Sequence, residues 1–234
     1  MQKTAKVQWR SRVRLVDEVA DVLRSHIYAG RFALGTPMRQ EQLAAELDVS
    51  RTPLREALRM LEREGLVRVE PGRSVRVISG DLTTLCNAYA VREVLDGLAA
   101  RLVAEQGSSV VVEPLEAILD RQATTLDPWD PNRYTETNVE FHSVLIAAPE
   151  NNFLRAQLPL VHMTSQVFIP IARVSAQRAE RALHEHRQIV EAIRERHADL
   201  AEQLAREHIR KTLRSLLESA ADAPNHVGTG EVEA

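Results

Sequence analysis

Arg51 and Arg55 stand four residues apart in the run Val49-Ser50-Arg51-Thr52-Pro53-Leu54-Arg55-Glu56-Ala57-Leu58. On a helix that spacing puts both guanidinium groups on one face. A planar guanidinium fork can bond O6 and N7 of guanine together, so the pair is suited to the major groove of DNA. Thr52, beside them, can bond a phosphate or touch a thymine methyl. A second set of side chains lies further on. Asn138 and His142 are also four apart, and His186 and His208 sit in later helical runs. Imidazoles converging from three helices would bind a divalent transition metal. Spacing alone leaves the plainer reading open, in which each histidine is a surface or core residue with no ion.

The elements that must carry these groups follow from periodicity. Val16, Val19, Ala20, Leu23 and Ile27 predict an amphipathic helix that stops at Gly30. A short helix over about 40–47, a turn at Asp48-Val49-Ser50 and a helix over about 51–64 make a helix-turn-helix. Ser50 or Thr52 can cap the second helix, and Pro53 is tolerated in its first turn. Leu54, Ala57, Leu58 and Leu61 fall on one face, and Arg51, Thr52, Arg55 and Arg59 on another. Residues 66–70 and 74–78 alternate apolar and polar around Pro71-Gly72-Arg73, which predicts a β-hairpin. Arg73 at its tip could reach the minor groove or backbone. The unit is a winged helix-turn-helix.

Beyond Ser79-Gly80-Asp81 the pattern is helical throughout. The expected helices span about 82–106, 112–124, 131–147, 151–175, 178–196 and 199–221; Val110-Val111-Val112 could instead be a short strand. The fold class is therefore mainly α: an N-terminal winged helix-turn-helix over 11–78 and a C-terminal all-α bundle over 82–221. A flexible arm (1–10), a linker (79–81) and a disordered tail (222–234) complete the division. Charge divides the same way. Residues 1–80 carry 15 Lys/Arg against 10 Asp/Glu, whereas the whole chain has 30 against 33. Only the first third is basic, so only that part is expected to meet a polyanion. The single cysteine, Cys86, excludes an intrachain disulfide framework and a cysteine-based zinc finger. No apolar run approaches the roughly 18 residues of a membrane helix, and the first residues lack the apolar stretch of a signal peptide. A cytoplasmic location is expected, with no membrane partner.

The run Val49–Leu58, followed by Leu61-Glu62-Arg63-Glu64-Gly65-Leu66-Val67, resembles the DNA-binding domain of GntR-family transcription regulators. The resemblance covers about residues 13–78. It implies operator contacts by Arg51, Thr52, Arg55 and Gly72; Arg73 is an inference from its position. Ser74 stands where a second glycine is common. Residues 82–221 resemble the all-helical FCD effector domain of the FadR subfamily, and the count of six helices suits its VanR-like group. In members with a metal site, an acidic residue and a histidine four apart are joined by two later histidines. His142, His186 and His208 match the histidines, and Asn138 stands where aspartate is usual. The neutral amide removes one negative charge beside a divalent ion, which weakens affinity. Zinc is the first expectation, with nickel or manganese as alternatives. Arg92 matches an arginine near the effector cavity and could clamp a carboxylate; its competing role is an i, i+4 pair with Asp96.

The resemblance implies a regulator, expected to be a repressor. As a homodimer it would bind double-stranded palindromic operator DNA and respond to a small carboxylate effector at a metal-containing site. The alternatives are a metal-dependent hydrolase using the histidine cluster, or a purely structural ion. The hydrolase lacks a well-placed base, because Glu140 is two residues from His142 and faces away on a helix.

Overall fold

The computed structural model describes residues 4–32, 34–70, 74–78, 81–107, 109–168 and 174–221. The first helix, α1, spans Thr4–Tyr28, so helix begins within the stretch expected to be a loose arm. A short strand β1 (Pro37–Arg39) leads into α2 (Gln40–Glu46) and α3 (Arg51–Arg63). Strands β2 (Val67–Glu70) and β3 (Ser74–Val77) form the expected hairpin. The antiparallel sheet has the order β1-β3-β2, with Met38 opposite Val75 and Val69 also opposite Val75 across the hairpin. Strand β1 is not expected from the sequence: three residues carry no alternation, and the strand exists because β3 offers it a free edge.

The turn between α2 and α3 is made by Asp48 in the left-handed region, at φ 51°. Asp is one of the few side chains that tolerate this. Ser50 occupies the N-cap position with extended backbone but makes no side-chain cap bond, so that expected bond is not formed. Leu54, Ala57, Leu58 and Leu61 are buried, and their partners are Leu23 and Ile27 of α1 and Val75 and Val77 of β3.

The C-terminal region contains α4 (Leu82–Gln106), α5 (Ser109–Ala123), α6 (Pro131–Ala147), α7 (Asn152–Arg155), α8 (Leu158–His162), α9 (Ala176–Arg194) and α10 (Ala198–Ala221). Asp81 caps α4 by accepting from the Thr84 N–H at 2.7 Å. The Val110-Val111-Val112 run is helical, inside α5. The single helix expected over 151–175 is not formed. Asn151 caps the four-residue α7, Pro159 restarts the chain as α8, and Met163–Val167 continues as a π-helical turn. Thr164 explains the widening, because its hydroxyl donates to the Leu160 and Val161 carbonyls and competes with the backbone. One apolar core fills the bundle between α4, α5, α6, α9 and α10. A second runs through the winged domain and continues into Leu85, Tyr89, Met163, Val167 and Phe168. The two domains therefore share buried apolar surface. Gly72, Arg73, the Ser79-Gly80 linker and the tail 222–234 lie outside the described residues.

Candidate functional site

On the winged domain, Arg51, Thr52 and Arg55 are all exposed on the outer face of α3, opposite its buried leucines. Arg51 is held by Glu41 of α2 at 3.1 Å. Further along the same face Arg59 pairs with Glu56. These are surface pairs, worth little to stability and readily exchanged for a phosphate or base edge. The helix thus presents two guanidinium groups near its N-terminus, where the free backbone N–H groups also favour anions.

The second site is built from three helices of the bundle. His142 comes from α6, His186 from α9 and His208 from α10, and all three are buried. Their ring nitrogens lie within 4.8 Å of one another. Each imidazole has its Nδ1 tied to a different acceptor. His142 donates to Asp96 at 2.6 Å, His186 to the Gln122 carbonyl oxygen at 3.0 Å, and His208 to Glu185 at 2.7 Å. The Asp96 and Glu185 carboxylates can only accept, so they fix the Nδ1–H tautomer of His142 and His208 and leave their Nε2 atoms as lone pairs, and Gln122, with its carbonyl oxygen facing His186, selects the same tautomer there. The His186 and His208 Nε2 atoms sit 3.2 Å apart. Two lone pairs at that distance repel unless a proton or a metal ion lies between them. Nitrogens bound at ~2.0–2.1 Å to one tetrahedral ion would be about 3.3 Å apart. The donor set therefore fits a divalent transition ion. Phe141, stacked on His186 with ring centroids 4.0 Å apart, fixes the ring from its other side.

Electrostatics agree with this assignment. Burial pushes the His142 pKa down to about 4, against the pull of Asp96. Burial also lowers His186 and His208. All three are neutral at pH 7, as metal ligands must be. Burial works to raise Glu185, but its bonds from His208 and Arg178 prevail and hold it at about 2. For Asp96 burial likewise opposes ionisation, and the neighbouring Arg92 charge and His142 bond keep it well below the carboxylate range.

A cavity of about 70 Å3 opens beside His142 and His208. At ~10–15 Å3 per water it has room for about five to seven. Asn138 lines it, as do Tyr89, Thr135, Arg178 and Thr212. Arg92 reaches the same wall, yet its guanidinium is engaged. Nε and Nη2 donate to the two Asp96 oxygens at 2.7 and 3.0 Å, and Nη1 donates to the Thr164 hydroxyl at 2.6 Å. Both members of the pair are only 1% exposed. The observed contact of Arg92 is therefore its pair with Asp96, and an effector carboxylate would compete with it. Glu140 pairs with Arg121 on the surface, on the side of α6 away from the histidines. His184 and His197 are exposed and stand apart from the cluster. Asp96, Gln122 and Glu185 are the site residues that sequence reading missed. Only Asp96 left a trace, as a carboxylate one turn from Arg92.

An exposed arginine-bearing recognition helix joined to a helical bundle with a cavity beside buried histidines defines a two-domain transcriptional regulator. Comparison with known proteins makes the class specific. Residues 15–77 match the model described as "Bacterial regulatory proteins, gntR family", and residues 87–211 match the FCD domain. The chain belongs to the GntR family and carries an FCD domain. It is 30% identical over 203 residues to the "Probable D-xylose utilization operon transcriptional repressor" of Paenarthrobacter nicotinovorans, spanning 85% of this chain and 87% of that protein. It is 26% identical over 198 residues to the gluconate operon transcriptional repressor of Bacillus licheniformis, spanning 82% and 81%. Among solved structures it shares the fold of E. coli McbR/YncC, with a TM-score of 0.74 at 17% identity over 88% of this chain and 98% of that one. The Rhodococcus sp. RHA1 GntR regulator gives 0.70 at 23% identity over 87% and 97%. The chain is thus a regulator of transcription and not an enzyme, and nothing in these relatives supports the hydrolase reading. Among the described residues no helix is long and apolar enough to cross a membrane.

Proposed function

We propose that this regulator is a cytoplasmic, homodimeric repressor whose grip on operator DNA is set by a small carboxylate bound at a metal-containing site in the bundle. The observation that carries the reading is the convergence of three imidazoles whose Nδ1 atoms are all tied to buried or half-buried acceptors. His142, His186 and His208 would hold the ion, with Asn138 at the cavity wall as a neutral fourth donor. Zinc suits three nitrogens best, and nickel or manganese would be accepted less readily. A bound divalent cation supplies positive charge and an open coordination position, which selects an anionic oxygen ligand. Arg178 and the hydroxyls of Thr135 and Thr212 would orient the rest of it. Relatives named for gluconate and D-xylose operons make sugar acids the first ligands to try.

On the DNA side, Arg51 and Arg55 would read base edges while Thr52 and the start of α3 meet phosphate, with Gly72 and Arg73 of the wing at the backbone or minor groove. Exposed Val91 and Val94, three apart on one face of α4, support a second copy against that face, and two copies present two recognition helices to a palindrome. The reading is tested by selecting DNA from a random-sequence pool and measuring affinity by fluorescence anisotropy with zinc, with EDTA, and with added gluconate or xylonate. Arg51→Ala and Arg55→Ala should each weaken selected DNA by about 1–3 kcal/mol. Equal affinity for selected and random DNA would refute the reader. Indifference to zinc and to every acid would refute the switch.

A further inference from the structure

The Arg92–Asp96 pair does more than close a hydrogen-bond pattern inside α4. One end of it touches His142, through Asp96 at 2.6 Å. The other end touches the π-helical turn, through Thr164 at 2.6 Å and more distantly Ser165 at 3.5 Å. The turn sits where the domains meet. Met163, Val167 and Phe168 belong to the apolar core that also holds Val19, Leu23 and Ile27 of α1. His162, the residue before the turn, stacks on Tyr28 of α1 at 5.0 Å with the rings 19° from parallel. An uninterrupted set of buried contacts thus runs from the three-histidine site to the helix that supports α3.

We propose that Asp96 and Arg92 are positioning residues that couple the three-histidine site to the DNA-binding domain through the π-helical turn Met163–Val167. The inference rests on the reading that the histidines hold a divalent ion. An ion drawing on the His142 Nε2 lone pair strengthens the Nδ1–H bond to Asp96 and fixes where that carboxylate sits. Asp96 holds the guanidinium by two parallel bonds, so the fork cannot turn independently of it. Nη1 then fixes the Thr164 hydroxyl, which also bonds the Leu160 and Val161 carbonyls of α8. All three links are buried, where polar groups without a partner are costly and small displacements are transmitted rather than absorbed by water. π-helical turns inside helices are frequent at functional sites, and the coupling requires this one to shift between two arrangements.

The test uses the full-length protein, zinc as the probe and amide hydrogen exchange in α1 as the readout. In the unsubstituted protein, zinc should slow exchange over Val19–Tyr28 about fivefold or more. Thr164→Val removes the hydroxyl at nearly constant shape. It should leave zinc affinity by calorimetry within about threefold and abolish the protection of α1. Thr164→Ser, which keeps the hydroxyl, should restore protection. Equal protection in Thr164→Val and the unsubstituted protein overturns the proposal. A separate cycle needs no metal: His142→Ala and Thr164→Val should each alter α1 exchange, and the double variant should add nothing further. Additive effects in that cycle overturn the coupling. If calorimetry shows no zinc binding while the cycle is non-additive, the ion reading fails and the coupling stands.

Discussion

Acidification should cost the metal-free protein much of its stability, and the structure sets the size of the loss. In the unfolded chain a histidine titrates near 6.5, whereas His142 in the fold is held at about 4 by burial, and His186 and His208 are also lowered. The unfolded state therefore binds more protons than the folded state, so stability falls as pH falls from about 6.5 toward the folded value. For His142 the loss between pH 7.5 and pH 5.0 is about 2 kcal/mol, from the ratio of the two protonation polynomials at 1.36 kcal/mol per unit. No single histidine can exceed about 2 kcal/mol at pH 5.0, because that is all the protonation the unfolded state gains, so the three together are bounded at about 6 kcal/mol. Carboxylates barely interfere at this pH. Glu185 and Asp96, both depressed in the fold, add only about 0.2 kcal/mol, since their unfolded forms are still mostly ionised. A loss near that bound would bring a domain at the low end of the usual ~5–15 kcal/mol close to unfolding. The assay is urea denaturation of EDTA-treated protein at the two pH values. A loss below about 1 kcal/mol would mean that the histidines are protonated or hydrated in the fold, and would refute the neutral tautomers assigned above. A companion measurement sharpens the test. Because burial lowers all three histidines in the fold, zinc affinity by calorimetry should fall less steeply from about pH 7.5 to 5.5 than that of three ordinary imidazoles titrating near 6.5.

Other substitutions probe the remaining parts. Asn138→Asp places a carboxylate at the cavity wall beside His142 and His208, and zinc affinity by calorimetry should rise by about tenfold or more; unchanged affinity would remove Asn138 from the ligand set. Glu185→Gln weakens the anchor of His208 and should lower zinc affinity about 10–100-fold with little change in helix content by circular dichroism. Leu61→Ala empties a fully buried position between α3 and its core and should cost about 2–5 kcal/mol in urea melts. Asp48→Gly relieves a left-handed residue in the helix-turn-helix and should stabilise the protein by about 0.5–1 kcal/mol in the same assay.

The winged domain was readable in advance because its information is local. Leu54, Ala57, Leu58 and Leu61 recur at helical spacing, and the arginines fall between them on the opposite face. The bundle helices were readable for the same reason. The segment 151–175 was not, because its apolar residues keep helical spacing while its breaks come from single side chains. Asn151 caps too early, Pro159 lacks an N–H, and the Thr164 hydroxyl competes for carbonyls. The histidines could be nominated from their types, but their partners could not. Gln122 lies 64 residues from His186, and Asp96 lies 46 from His142. No periodicity relates residues so far apart, and only packing of α4 and α5 against the ligand helices brings them within bonding distance.

That dependence on packing bears on how such a site can regulate. His142, His186 and His208 come from α6, α9 and α10, and their acceptors from α4, α5 and α9, so every bundle helix longer than five residues contributes to one polyhedron of nitrogens. Coordination distances tolerate shifts of only about 0.2 Å. An ion bound there is accordingly a constraint on how all these helices pack, and its binding energy opposes any arrangement that separates them. The core that closes around α4 is continuous with the core of the winged domain through Leu85 and Tyr89, and the π-helical turn joins both. Under the proposed function, a ligand that pulled on the ion would act on the packing of the whole bundle. The recognition helix can respond because its supporting helix α1 is packed against the same buried surface.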